Sequence, residues 1–162
     1  MKKQLTDHFQ HMLLFTPDAE KVEAYQHLIP GTHVYSFDPE QNATDNARRL
    51  AEHIVTHNAR ILLLINRPPL VPELLVPALR TALNGRDIYI MLVTPHATSP
   101  PIQTRLDIDD YFFLTDSDLN EQMLELAVNH YLRTIEMRNR FTSATRTALT
   151  AMEAAAEYGA LI

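Results

Sequence analysis

A chain of 162 residues, 46% hydrophobic and 21% charged, is sized for one compact domain with a real core and lies outside the profile of a disordered chain. Its formal net charge of -6 gives no electrostatic footprint for phosphate backbones, and Arg48, Arg49, Arg138 and Arg140 have Asp45, Glu52 and Glu136 close by, which disfavours nucleic acid as a partner. The absence of cysteine removes disulfides, thiolate nucleophiles and cysteine-based zinc or iron-sulfur centres together, as fits a reducing compartment.

The basic start, Met1-Lys2-Lys3-Gln4, leads into a polar stretch with Asp7 and His8, not into the apolar run of a signal peptide. The longest apolar runs, residues 61–65 and 88–93, are far too short to cross a bilayer, so a cytoplasmic protein with no membrane partner is expected. Met12-Leu13-Leu14-Phe15 reads as the first strand. Thr16-Pro17-Asp18 then supplies a capping aspartate for a helix over 18–28, which Pro30-Gly31 stops. Val34-Tyr35-Ser36-Phe37 alternates and suits an edge strand. Residues 43–57 have helical periodicity and carry His53 and His57 one turn apart, a spacing that can share a metal. No zincin-type glutamate or third ligand accompanies them, so surface histidines and no metal site are expected.

Residues 61–65 lack polar alternation, which predicts a central strand covered by helices on both faces. A helix over 72–83 follows, ended by Asn84-Gly85, and 88–93 form the fourth strand. The next connection, His96-Ala97-Thr98-Ser99-Pro100-Pro101, carries little helix signal, leaving a short helix over 102–106 or irregular chain. Asp107-Ile108-Asp109-Asp110 reads as a solvated turn, Tyr111-Phe112-Phe113-Leu114 as the fifth strand, and Thr115-Asp116-Ser117-Asp118 as the cap of a last helix. Strands alternating with helices require crossover connections, so an α/β domain with a doubly wound, mostly parallel five-stranded sheet is expected.

From Asp118 to the end there is no proline, and no glycine before Gly159. One helix of about 65 Å would result at about 1.5 Å per residue, too long to lie on one small sheet. Its first part, with Leu124, Ala127, Val128, Tyr131 and Ile135, can cover the sheet. Beyond it, Phe141, Thr145, Ala148, Met152, Ala155, Gly159 and Ile162 fall at alternating steps of four and three, the spacing of a seam between helices. The tail is therefore expected to form a homodimer, with a hairpin folding back on the domain as the alternative. The division expected is a domain over 1–137 and a helical extension over 138–162.

In an open parallel sheet the working residues stand at the carboxyl ends of the strands, near the point where strand order reverses. Those positions hold Thr16, Pro17 and Asp18 after the first strand, Asn66 after the third, Thr94 after the fourth, and Leu114 and Thr115 after the fifth. Over residues 12–137 the chain resembles the receiver domain of bacterial response regulators. Leu13-Leu14-Phe15-Thr16-Pro17-Asp18 is similar to the strand with the acidic pair, and Leu62-Leu63-Leu64-Ile65-Asn66 to the strand that ends in the phosphoacceptor aspartate. Residues 88–94 are similar to the strand ending in the switch hydroxyl, and Asp109-Asp110-Tyr111 to the start of the fifth strand. The resemblance implies a flavodoxin-like sheet in the order 2-1-3-4-5, with Thr94 and Tyr111 as the switch pair. A plain half-buried strand aromatic would give the same Tyr111.

The departures from the family carry the functional expectation. Receivers hold Mg²⁺ with two acids, attack phosphorus with an aspartate, and pair the phosphoryl group with a Thr or Ser and a Lys. Here Pro17 stands at the first acid, Asn66 at the acceptor and Leu114 at the lysine, leaving Asp18 and Thr94. Aligned one residue earlier, the acidic pair becomes Thr16 and Pro17. An amide oxygen is a poor nucleophile, and lost carboxylates weaken a site for a hard cation. Arg67, beside the pocket in Asn66-Arg67-Pro68-Pro69, is a candidate anion contact. The expectation is a phosphorylation-independent pseudo-receiver without cofactor, not an enzyme, acting as an interaction and dimerisation module of a bacterial signalling protein. A protein partner, or an output domain beyond the apolar end of the chain, completes that expectation. The alternative is a small α/β ligand-binding domain or enzyme that uses Asp18, Asn66 and Thr94.

Overall fold

A computed structural model describes residues 9–28, 30–95, 108–114 and 120–160, without the side chains of 95, 110–114 and 157–160. The chain is α/β. Strands β1 (Met12–Thr16), β2 (His33–Ser36), β3 (Ile61–Ile65) and β4 (Tyr89–Pro95) form a parallel sheet in the order β2-β1-β3-β4. Leu14 pairs with Val34 on one side and Leu63 on the other, and Leu63 with Met91. A further strand, β5 (Asp110–Leu114), runs parallel beside β4 with Tyr111 opposite Leu92. The helices are α1 (Val22–Leu28), α2 (Ala43–Thr56), α3 (Pro72–Leu83) and α4 (Glu121–Ala160).

Burial explains why β1 and β3 are central. Every residue of both strands is buried, so neither needs polar alternation. Successive side chains leave a strand on opposite faces, and Leu13, Phe15, Leu62, Leu64, Ile90 and Leu92 share one face with α2 and α3. That layer takes Ala47, Leu50, Ala51 and Ile54 from α2, spaced as one helical stripe, and Leu75, Val76, Leu79 and Leu83 from α3. Each fully buried Leu or Ile contributes about 1.5–3 kcal/mol relative to exposure.

The helix ends are set locally. Asn42 caps α2, its side chain accepting the Asp45 N–H at 2.7 Å. Buried Asn46 is fully engaged: Nδ2 donates to the carbonyls of Asp38, Gln41 and Asn42, while Oδ1 accepts from the Asp38 N–H at 2.8 Å and from Arg49 at 3.0 Å. Pro72 opens α3, and Asn84 in the left-handed region at φ 50° closes it, with Gly85 at φ 84° next.

Three expectations need correction. Asp18 stands at the head of the first helical segment, which is a 3-10 turn over Ala19–Lys21 leading into α1, but its side chain makes no capping hydrogen bond. The carboxylate is engaged elsewhere. Asp109 is no solvated residue: its carboxylate accepts the Ile90 N–H at 2.8 Å and pairs with Arg80 at 3.4 Å. His53 and His57 are half-buried among other rings and are not free surface side chains. The helix expected over 102–106 and the cap at 115–118 lie outside the described residues.

The chain divides into two compact units, Met1–Ala127 and Val128–Ile162. In the second unit, every side chain from 136 to 156 is exposed. Among the described residues, no helix is long and apolar enough to cross a membrane.

Candidate functional site

The carboxyl ends of β1, β3 and β4 bring four of the expected residues into two interlocked pairs. At the end of β1 the chain turns sharply, because the buried Thr16 hydroxyl accepts the Asp18 N–H at 3.1 Å and the Thr16 carbonyl accepts the Phe37 N–H at 2.8 Å. This turn sets the Asp18 carboxylate above the sheet. One strand over, Arg67 follows β3 in a tight turn, its N–H donating to the Ile65 carbonyl at 3.0 Å and its carbonyl accepting the Leu70 N–H at 3.1 Å. The Pro68-Pro69 peptide within that turn is cis.

Arg67 Nη1 donates to Asp18 Oδ2 across the strand ends. The two side chains are 29% and 18% exposed, so the pair is partly withdrawn from water. A guanidinium is a permanent cation at any physiological pH, and here it neutralises the one carboxylate of this cleft among the described residues. The second pair is neutral: Asn66 Nδ2 donates to Thr94 Oγ1 at 3.2 Å, and the Asn66 N–H donates to the Val93 carbonyl at 2.7 Å. Thr94 is buried.

Chemically, the cleft offers one carboxylate already bound to an internal cation, a carboxamide, and two buried hydroxyls. Among the described residues, no general base is hydrogen-bonded to the Asn66 amide oxygen or to the Thr16 and Thr94 hydroxyls. Among the described residues, no group of three or more His, Cys, Asp or Glu side chains could hold a metal ion. Leu114 lies at the end of β5 with its backbone opposite Pro95, and Tyr111 opposite Leu92, while the side chains of both lie outside the described residues. Phe141, Ala148, Met152 and Ala155 stand exposed on α4, in the second unit.

Sequence reasoning placed Arg67 beside the cleft as an anion contact. It missed that the guanidinium meets Asp18, although β1 and β3 are neighbours and each residue lies just past its strand end. It also missed a ring cluster at the sheet edge. His33 stacks on His57 with centroids 3.7 Å apart and 15° between planes. Tyr35 stacks on His53 at 3.6 Å and 12°, and its hydroxyl is hydrogen-bonded to His57 Nε2 at 2.5 Å. The available signal was a pair of rings at i, i+2 on a strand followed by a pair at i, i+4 on the next helix.

Compared with known proteins, the chain matches no protein-family model, no curated protein and no solved structure.

Proposed function

We propose that this chain is a pseudo-receiver: a flavodoxin-like, five-stranded domain that works in bacterial signal transduction without accepting a phosphoryl group. The reading rests on the parallel order β2-β1-β3-β4, with β5 beside β4, and on what stands at the strand ends. In receivers the acidic position after the first strand holds Mg²⁺. Here the corresponding Asp18 is held by Arg67, so an internal guanidinium occupies the electrostatic role of the metal. That ion pair is the observation that carries the proposal. Asn66, at the acceptor position, spends its amide on Thr94 and provides no carboxylate to form an acyl phosphate.

On this reading the domain regulates through contacts with a protein partner and through association of α4 with α4 of a second copy, in the cytoplasm. The exposed Phe141 and Met152, 75% and 68% accessible, supply apolar surface for that association.

The test is intact-mass measurement of the full chain after incubation with Mg²⁺ and a small phosphodonor such as acetyl phosphate. The expected result is an unchanged mass. A stable gain of one phosphoryl group on this chain refutes the proposal. A thermal-shift screen of nucleotides and phosphorylated metabolites separates the ligand-binding alternative, for which a reproducible stabilisation is the signature and a flat response the result expected here.

A further inference from the structure

Outside the Asp18 cleft, four rings fasten the edge strand to its helix. His33 and Tyr35 flank buried Val34 and so leave β2 on one face, while His53 on α2 and His57 at its C-terminal cap are one turn apart. The two spacings bring the rings into face-to-face register, His33 on His57 and Tyr35 on His53. We propose that this stack is an acid-sensitive fastener, which holds α2 against β2 while its imidazoles are neutral and loosens when they gain protons. The inference is independent of the pseudo-receiver reading, because the stack itself contains no residue of the Asp18 cleft.

The chemistry follows from the contacts. Two imidazolium rings stacked 3.7 Å apart would repel each other, whereas two neutral rings attract by dispersion. The Tyr35 hydroxyl and His57 Nε2, hydrogen-bonded at 2.5 Å, tie the two stacked pairs into one cluster. The surrounding charges mostly oppose protonation. Burial is the largest cause that holds His33 below its ordinary value of 6.5, with the neighbouring His57 and then His11 adding to it and a hydrogen bond to the Gln10 backbone opposing. Burial likewise lowers His53, followed by Arg49 and His57, with Glu52 of α2 opposing. Helix α1, which also contacts β2, carries Glu23 and His27, exposed and paired with each other at 3.8 Å.

His33 and His53 therefore bind protons less readily in the folded chain than in the unfolded one. Their contribution to stability is complete above pH 6.5 and is lost as pH falls through their lowered folded values. The fastener also borders the strand ends: Arg49 Nη2 donates to the Ser36 carbonyl at 2.8 Å, and Phe37, the next residue, donates to Thr16. Loosening α2 from β2 would thus free the loop that braces Thr16.

Histidine ring resonances of the full chain, followed by NMR between about pH 5 and 8 alongside urea unfolding midpoints, test the device. His33 and His53 are expected to titrate below 6.5, with the midpoint falling as they do, and the double variant His33→Gln/His53→Gln is expected to lose that part of the slope. Titration of both rings at or above 6.5, or an unchanged slope in the double variant, would overturn the proposal. Should the double variant not fold, the titration of the unmodified chain decides.

Discussion

Under the proposed reading a side chain stands where receivers hold a metal, and Arg67 is the residue on which that change turns. A divalent ion can be lost, exchanged or joined by a phosphoryl group; a guanidinium tethered to β3 cannot leave. Its removal should be felt as a partly buried carboxylate without its partner. Arg67→Ala is expected to cost about 1–3 kcal/mol in urea unfolding, and the double variant Asp18→Asn/Arg67→Ala should cost less than the sum of the two single changes. Additive losses would show that the pair is not coupled. The positions of Asp18, Asn66, Arg67 and Thr94 were legible in the sequence, because apolar runs ending in polar residues mark strand ends. The pairing of Arg67 with Asp18 was not, because side-chain direction there depends on two tight turns whose shape residue spacing does not encode. The histidines show the same limit. Their two spacings are visible, but only the relative placement of β2 and α2 turns four separate rings into one stack.

Elements were read best where burial and local punctuation agree. β3 and α3 have the expected bounds, and α2 differs by a single residue, since the unbroken apolar run of β3 and Asn84 with Gly85 at the end of α3 are strong local signals. The first helical segment was read less well: its start is a 3-10 turn, and Asp18 serves the cleft and not the cap. Asp109 misled for a similar reason, as an acidic run looks solvated until a neighbouring strand's N–H and Arg80 are brought to it. Helix α4 carries the exposed apolar side chains on which the dimer proposal rests. Met137, Phe141 and Met152 are all more than half exposed, and an isolated helix gains nothing from leaving them in water. Under the dimer proposal, Phe141→Glu/Met152→Glu is expected to shift the full chain from dimer to monomer in sedimentation velocity. A dimer that survives the double change would remove α4 from the account of self-association.

At the scale of the molecule, two layouts coexist: a sheet whose central strands are wholly buried, and a helix whose side chains from 136 to 156 are exposed. The first is a scaffold that positions polar groups at strand ends, and under the dimer proposal the second is surface for association. A net charge of -6 is spread through the chain, yet the cleft at the strand ends pairs its carboxylate with an internal arginine. The account therefore predicts a protein whose overall acidity draws cations weakly and nonspecifically while its cleft selects none. Paramagnetic broadening by Mn²⁺, read on the backbone amides of the full chain, tests this most directly. The predicted result is no selective, saturable broadening at Asp18, Asn66 and Thr94; saturable broadening centred on those three amides would contradict the claim that Arg67 has taken the metal's place.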